Sequence, residues 1–305
     1  MSSLEALLTR LDAVDVRFPT GVQEQLRLKA SSLTMFSGIA MQALEIAKDP
    51  ECDIHEFVKV VERDEVLAIE TLKMANSIRF GGSRKEMNLR QAVIRIGFRQ
   101  CKSLIIEAGL SSMMKKMTLV EAWVREVLWR HSLTTAWIGI HLNRSLNAGF
   151  QGEEFTGGLV HDIGRLLVAA CFPDQYAAID PMGADENPEI LAHEYEAIET
   201  NHCELGMWLT RKNSLPEPLI DVVRFHHCPE RSQHNRRFVA LIAASDHMTN
   251  HLQRNEATYG YDPKANAAIT VLESCGVAQA TRRFAEIATK VMDQSLKDVQ
   301  EALAI

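Results

Sequence analysis

The chain of 305 residues contains no stretch of about 18 uncharged apolar residues, the shortest run from which a membrane-crossing helix is read. Its start, Met1-Ser2-Ser3-Leu4-Glu5, lacks the basic opening and apolar core of a signal peptide, so a cytoplasmic protein with no membrane partner is expected. No Cys-x-x-Cys pair occurs among the six cysteines (Cys52, Cys101, Cys171, Cys203, Cys228, Cys275), which are widely separated. That spacing fits buried, reduced thiols in a reducing compartment better than a disulfide framework. Cys203 and Cys228 each adjoin a histidine of interest below, and packing as small apolar groups is the favoured reading for both. The net charge of −7 excludes a broadly basic surface, and hence general binding to nucleic acid or anionic lipid. The Lys115-Lys116 and Arg236-Arg237 pairs are too short to reverse this. Internal repeats and low-complexity segments are also absent.

The chain has 46% hydrophobic and 24% charged residues, the balance of a globular protein with a sizeable core. Almost every segment has a helical period, and no sustained strand-like alternation occurs, so the expected fold is all-α. Asp53 followed by Glu56 has the form of a capping box, opening a helix through Phe57, Val60 and Val61. Asn88 reads as a second cap and Gly97 as a stop. Gly81-Gly82 marks a turn, and Asp180 to Pro188 a loop. Pro216 and Pro218 introduce the helix that carries His226-His227. The polar, methionine-rich stretch from Ser111 to Thr118 reads as a junction. Three parts follow: an N-terminal helical subdomain over 1–115, a second helical subdomain over 116–255, and a tail over 256–305. In the tail, Phe284, Ile287, Val291, Leu296 and Val299 share one helical face, which packs either on the domain or on a second copy in a homodimer.

The second half carries His131, His161-Asp162, His202, His226-His227 and Asp246 in apolar segments that read as helices. Histidines and carboxylates spread in this way can converge on a metal. His161 beside Asp162 offers one nitrogen and one hard oxygen donor, a mix that suits iron, manganese, zinc or magnesium and selects none of them. His131, in Leu128-Trp129-Arg130-His131-Ser132, is costly to bury without a metal or a hydrogen-bond partner. Asp246, amid Ile242, Ala243 and Ala244, needs a cation or several donors, and a salt bridge to an arginine would serve equally. Neighbouring helical residues point about 100° apart, so one of His226 and His227 could lie outside a shared site. His55, His141, His193, His234, His247 and His251 fall outside the pattern and read as surface or capping groups, with His247 notable as the neighbour of Asp246.

The order His131, His161-Asp162, Asp246 resembles the HD phosphohydrolase superfamily and, within it, the HDOD family. The likeness extends to Phe57–Ser77, with Arg63-Asp64 and Lys73-Met74-Ala75-Asn76-Ser77, and to Leu89–Gly97, Trp129-Arg130-His131-Ser132 and His161-Asp162-Ile163-Gly164-Arg165. It spans about residues 15 to 230. The resemblance implies a multi-helical fold in which an N-terminal helical subdomain packs on an HD-like core. It also implies a site for one or two divalent ions, with Asp162 placed to bridge them. His202, His226 and His227 match the further histidines with which HD-GYP cyclic-dinucleotide phosphodiesterases hold a second metal. Two departures stand against that activity. Cys228-Pro229-Glu230 stands where those enzymes have Gly-Tyr-Pro, and Arg165 replaces their lysine. Arg165 can still grip a phosphate through two parallel hydrogen bonds, or make a surface ion pair. Val127 stands one turn before His131, where some relatives carry a glutamate ligand, so no third metal is expected.

The implied function is an HDOD signal-transduction module that retains its metal site and acts through protein partners. The second reading is a metal-dependent phosphohydrolase acting on a nucleotide or cyclic dinucleotide, with Asp162 and Arg165 as catalytic residues. In it, bound metal would lower the pKa of a water aimed at phosphorus. A third is a diiron redox or oxygen sensor built from the same ligands.

Overall fold

The computed structural model describes residues 17–29, 33–47, 49, 52–76, 88–117, 119, 122–179 and 189–303. Within them every regular element is helical and no strand occurs, as the period of the sequence predicts. The Gly81-Gly82 turn, the 180–188 loop and the N-terminal pentapeptide lie outside the described residues. No described helix is long and apolar enough to cross a membrane. The chain divides into two compact units.

The smaller unit comprises Ser32–Lys116 with Gln151–Glu153. It holds α2 (Gly38–Ile46), α3 (Ile54–Val61), α4 (Glu65–Asn76) and α5 (Leu89–Lys116). Short polar side chains set the starts. Ser37 Oγ accepts the Ala40 N–H at 3.1 Å, and Asn88 Oδ1 accepts that of Gln91 at 3.2 Å. Asp53 caps α3 through the N–H of His55 at 2.8 Å rather than through that of Glu56. Gly97 does not end its helix outright. It interrupts α5 with φ +77°, a conformation an L side chain resists, and the helix resumes beyond it to Lys116. The stretch from Ser111 is thus helical as far as Lys116, with Met113 and Met114 buried, and the change of unit falls between Lys116 and Met117. Phe57, fully buried, meets Phe98 edge-on at 5.2 Å.

The larger unit contains the first described helix, α1 (Thr20–Leu28), and the chain from Met117 onward apart from Gln151–Glu153. Phe18, just ahead of α1, meets Trp208 edge-on at 6.4 Å. The unit's core is formed where α6 (Ala122–Leu146) packs against α13 (Arg236–Asn255) and α15 (Ala280–Leu303). Ile138, Leu142 and Leu146 meet Leu241, Ala244 and Met248 on one side and Phe284, Val291 and Met292 on the other. The tail therefore covers its own unit with the face the sequence marked, and Ile287 and Leu296 lie half-buried at its margin. Between these long helices lie α7 (Glu153–Val160), α8 (Ile163–Cys171), α9 (Pro173–Ile179), α10 (Glu189–Ile198), α11 (His202–Lys212), α12 (Glu217–Phe225) and α14 (Ala267–Ser274). Gly164 lets α8 and α11 touch: a Cβ there would lie 1.8 Å from the His202 carbonyl oxygen. The same crossing brings Asp162 and His202 together.

Candidate metal centre

Helix ends supply most of the site. His161 and Asp162 form the two-residue turn between α7 and α8. Asp162 is the N-cap residue of α8, yet its carboxylate accepts no capping hydrogen bond and is left to face the cluster. His202 is the first residue of α11, behind an Asn201 cap. His226 and His227 are not on α12 as the sequence suggested, because that helix ends at Phe225 and His226 is its C-cap. Both rings nevertheless reach the same cluster. Only His131 and Asp246 come from helix interiors, α6 and α13.

All seven side chains converge. On one side, His131 Nε2 lies 3.0 Å from Asp246 Oδ1, 3.2 Å from His161 Nε2 and 3.6 Å from Asp162 Oδ2, and His161 Nε2 lies 3.4 Å from Asp246 Oδ1. On the other, His202 Nε2 lies 3.4 Å from His226 Nε2 and 3.1 Å from His227 Nε2. Asp162 links the halves: its Oδ1 is 3.3 Å from His226 Nε2 and 3.5 Å from His202 Nε2, and its Oδ2 faces His131 and His161. Every member is buried.

The hydrogen bonds behind the rings decide which atoms face inward. His161 Nδ1–H donates to the Gly158 carbonyl at 2.8 Å, His202 Nδ1–H to Glu194 at 2.8 Å, His226 Nδ1–H to the Val222 and Val223 carbonyls at 3.3 and 3.2 Å, and His131 Nδ1–H to Gln253 Oε1 at 2.9 Å. A neutral imidazole whose Nδ1 holds the proton presents a bare lone pair at Nε2. Four such lone pairs therefore point at one another and at carboxylate oxygens across 3.0–3.5 Å. Asp162 Oδ1 is buried and receives no hydrogen bond. Acceptors gathered against acceptors repel unless cations lie between them. Ligand atoms held ~2.0–2.1 Å from a metal are ~2.9–3.4 Å apart at right-angled or tetrahedral positions. The residues thus fit one ion among His131, His161 and Asp246, and another among His202, His226 and His227, each with one oxygen of Asp162. Both groups could hold a metal ion.

Burial works against charge throughout the cluster, and the neighbours decide the outcome. For Asp162 it is outweighed by the Arg165 guanidinium and His161, and for Asp246 by the adjoining His131 and His161 rings, so both carboxyls titrate well below the usual range. Burial holds the His226 ring below its ordinary value, and for His227 the other imidazoles push further the same way. His161 goes upward, since Asp162 and Asp246 outweigh its burial. These carboxylates stay ionised at neutral pH and demand positive charge.

Arg165 is buried to 2% exposure, with its Nε 2.8 Å from Asp162 Oδ2. At that distance it can hold the Asp162 carboxylate in orientation. Sequence reasoning missed Glu194, which is 2% exposed and whose Oε2 accepts both the backbone and the ring N–H of His202 at 2.8 Å. It also missed Gln253, two helical turns after Asp246, and Asn250, which donates to Asp246 Oδ1 at 3.1 Å. All six cysteines are free, and burial pushes Cys101 up to about 12 and Cys171 to about 11, as inert thiols. Cys203 belongs to the His202 group.

A family model, the HDOD domain, matches residues 33–229. The chain belongs to the HDOD domain family. A crystal structure of an HDOD domain protein of unknown function from Geobacter sulfurreducens is similar over 98% of both chains, with a TM-score of 0.68 at 21% identity. A candidate signal transduction protein from Marinobacter aquaeolei VT8 is similar over 93% of this HDOD chain and 68% of its own, with a TM-score of 0.60 at 14% identity. An uncharacterized protein of Treponema pallidum (strain Nichols) is 25% identical over 222 residues, 72% of this chain. The match spans 42% of that relative's length.

Proposed function

We propose that this HDOD protein is a signal-transduction module whose larger unit holds two divalent ions in the His/Asp cluster and which acts through protein partners. The observation that carries the metal is the set of inward-facing Nε2 lone pairs around an Asp162 oxygen that receives no hydrogen bond. His131, His161 and Asp246 would hold one ion and His202, His226 and His227 the other, with Asp162 shared between them. Arg165 fixes the bridging carboxylate, and Glu194 and Gln253 fix the tautomers of His202 and His131. The signalling part is supported by the family and by the likeness to the Marinobacter protein. It is also supported by the placement of the seven candidate ligands, all of which lie in the larger unit. Elemental analysis of metal after reloading, beside His202→Ala and Asp246→Ala, tests the ion count. Two ions in the unmodified chain and one in each variant are expected, and a count unchanged by either substitution would overturn the assignment.

A metal-dependent phosphohydrolase is the second reading, and one observation favours it. A cleft of about 590 Å³ is walled by His226, His227 and Asp246 together with His247, Arg254 and Asn266. When bound there, divalent ions polarise phosphoryl oxygens and acidify water. The chain's own part would be to present one face of the cluster to the cleft, with Arg254 on its wall for an anionic group. Turnover of a generic phosphodiester or of a panel of nucleotides by metal-loaded protein, abolished in Asp162→Ala, would establish it. No turnover of either would leave the signalling role alone.

A further inference from the structure

Cys203 is read most simply as a buried packing residue, but its surroundings are not apolar. Its side chain is fully buried, and Sγ lies 3.5 Å from His202 Nε2. Sγ and one ring nitrogen each of His202, His226 and His227 all lie within 4.8 Å of one another. Among the rings, His202 Nε2 is 3.4 Å from His226 Nε2 and 3.1 Å from His227 Nε2. Around an ion with metal–nitrogen bonds of ~2.0–2.1 Å and a metal–sulfur bond of ~2.3 Å, neighbouring ligand atoms at right-angled to tetrahedral positions lie ~2.9–3.4 Å apart for nitrogen–nitrogen edges and ~3.1–3.6 Å apart for nitrogen–sulfur edges. The distances from His202 match both kinds of edge. Independently of the sulfur, Asp162 Oδ1, buried and without a hydrogen-bond donor, is aimed at the same group, 3.3 Å from His226 Nε2.

We propose that Cys203 is a thiolate ligand of the ion held by His202, His226 and His227, which makes this half of the centre select zinc or iron(II) over manganese and magnesium. The proposal rests on the two-ion reading above. The other half, His131, His161 and Asp246, offers nitrogen and oxygen only, so the two positions differ in softness and a mixed pair of ions follows. The metal–sulfur bond forms as the S–H bond breaks, with the proton released to solvent.

Cobalt(II) titration of the metal-free, full-length protein tests this. Expected are visible ligand-field bands together with a near-ultraviolet thiolate-to-cobalt charge-transfer absorption. The charge-transfer absorption should vanish in Cys203→Ser and persist in Cys228→Ser, while the ligand-field bands survive in both. Zinc affinity at that position should fall in Cys203→Ser by at least the ~10–100-fold that loss of an outer-shell partner costs. Ligand-field bands without charge transfer, or charge transfer that survives in Cys203→Ser, would overturn the sulfur ligand and leave the metal centre standing. No cobalt bands at all would overturn both. Should Cys203→Ser fail to fold, X-ray absorption at the zinc edge of unmodified protein decides without a variant. A sulfur scatterer at ~2.3 Å is required, and a shell of nitrogen and oxygen alone refutes it.

Discussion

Removing the Glu194 carboxylate is expected to weaken one half of the metal centre and spare the other. Glu194 Oε2 accepts the backbone N–H and the ring Nδ1–H of His202, each at 2.8 Å, and the side chain is 2% exposed. The charged acceptor fixes the His202 tautomer and raises the basicity of its Nε2, which faces His226, His227 and Asp162. Loss of such an outer partner costs ~10–100-fold in metal affinity, or about 1.4–2.7 kcal/mol. In Glu194→Ala the buried backbone N–H of His202 also loses its acceptor, which costs about 1–3 kcal/mol of folding stability. Glu194→Gln keeps an oxygen but not the charge, so its affinity should fall between the other two. The assay is zinc titration against a chromophoric chelator, resolved into two binding steps, with denaturant unfolding run in parallel. One weakened step and one unchanged step are expected in Glu194→Ala. Two unchanged steps, or equal loss in both, would refute the role given to Glu194, because no hydrogen bond ties it to His131, His161 or Asp246 among the contacts described.

Gly164→Ala should destabilise the larger unit by about 1–3 kcal/mol or more, since the added methyl would meet the His202 carbonyl at 1.8 Å and backbone must shift; an unchanged denaturant midpoint would contradict the close crossing of α8 and α11. Glu107 gives a pH dependence of the opposite sense to an ordinary ion-paired carboxylate. Burial, with Glu70 adding to it, pushes its carboxyl from the usual 4.5 up to about 7, so between those values the native chain holds a proton that the unfolded chain has released. Stability contributed by that proton is lost as pH rises through the interval, and Glu107→Gln should flatten this part of the profile, measured by unfolding between pH 4 and 8. Chelation should lower the thermal midpoint in a concentration-dependent way. A metal present at 100 times its Kd contributes about 2.7 kcal/mol, and calorimetry with and without chelator should differ accordingly.

The all-helical fold was legible because the apolar period of 3.6 persists through nearly every segment, and because Asn88 and Asp53 announce helix starts with their own side chains. The clustering of these side chains was legible because histidine and aspartate in apolar surroundings are costly unless something satisfies them, and His131 and Asp246 prove to be buried as that argument requires. What failed was local direction. His226 and His227 were placed on a helix, but α12 stops at Phe225, and nothing in Phe225-His226-His227-Cys228 marks the stop as a glycine would. Partners of the rings were invisible for a different reason. Glu194 meets His202 from a separate helix, eight residues earlier in the chain, and no period links them. Arg165 reads from the sequence either as a phosphate ligand or as a surface ion pair; it is buried, with its Nε 2.8 Å from Asp162 Oδ2 one helical turn away. Cys203 carried no signal beyond its neighbour His202, and only the approach of His226 and His227, which follow α12, shows what surrounds its sulfur.

The measurement that bears most directly on the central claim is the metal content of freshly purified protein by elemental analysis, beside His161→Ala and Asp162→Ala. The account predicts two ions per chain in the unmodified protein, one in His161→Ala, and none tightly held in Asp162→Ala, because Asp162 gives an oxygen to each position. A chain that holds no metal even after reloading, or an Asp162→Ala variant that keeps both ions, would contradict it.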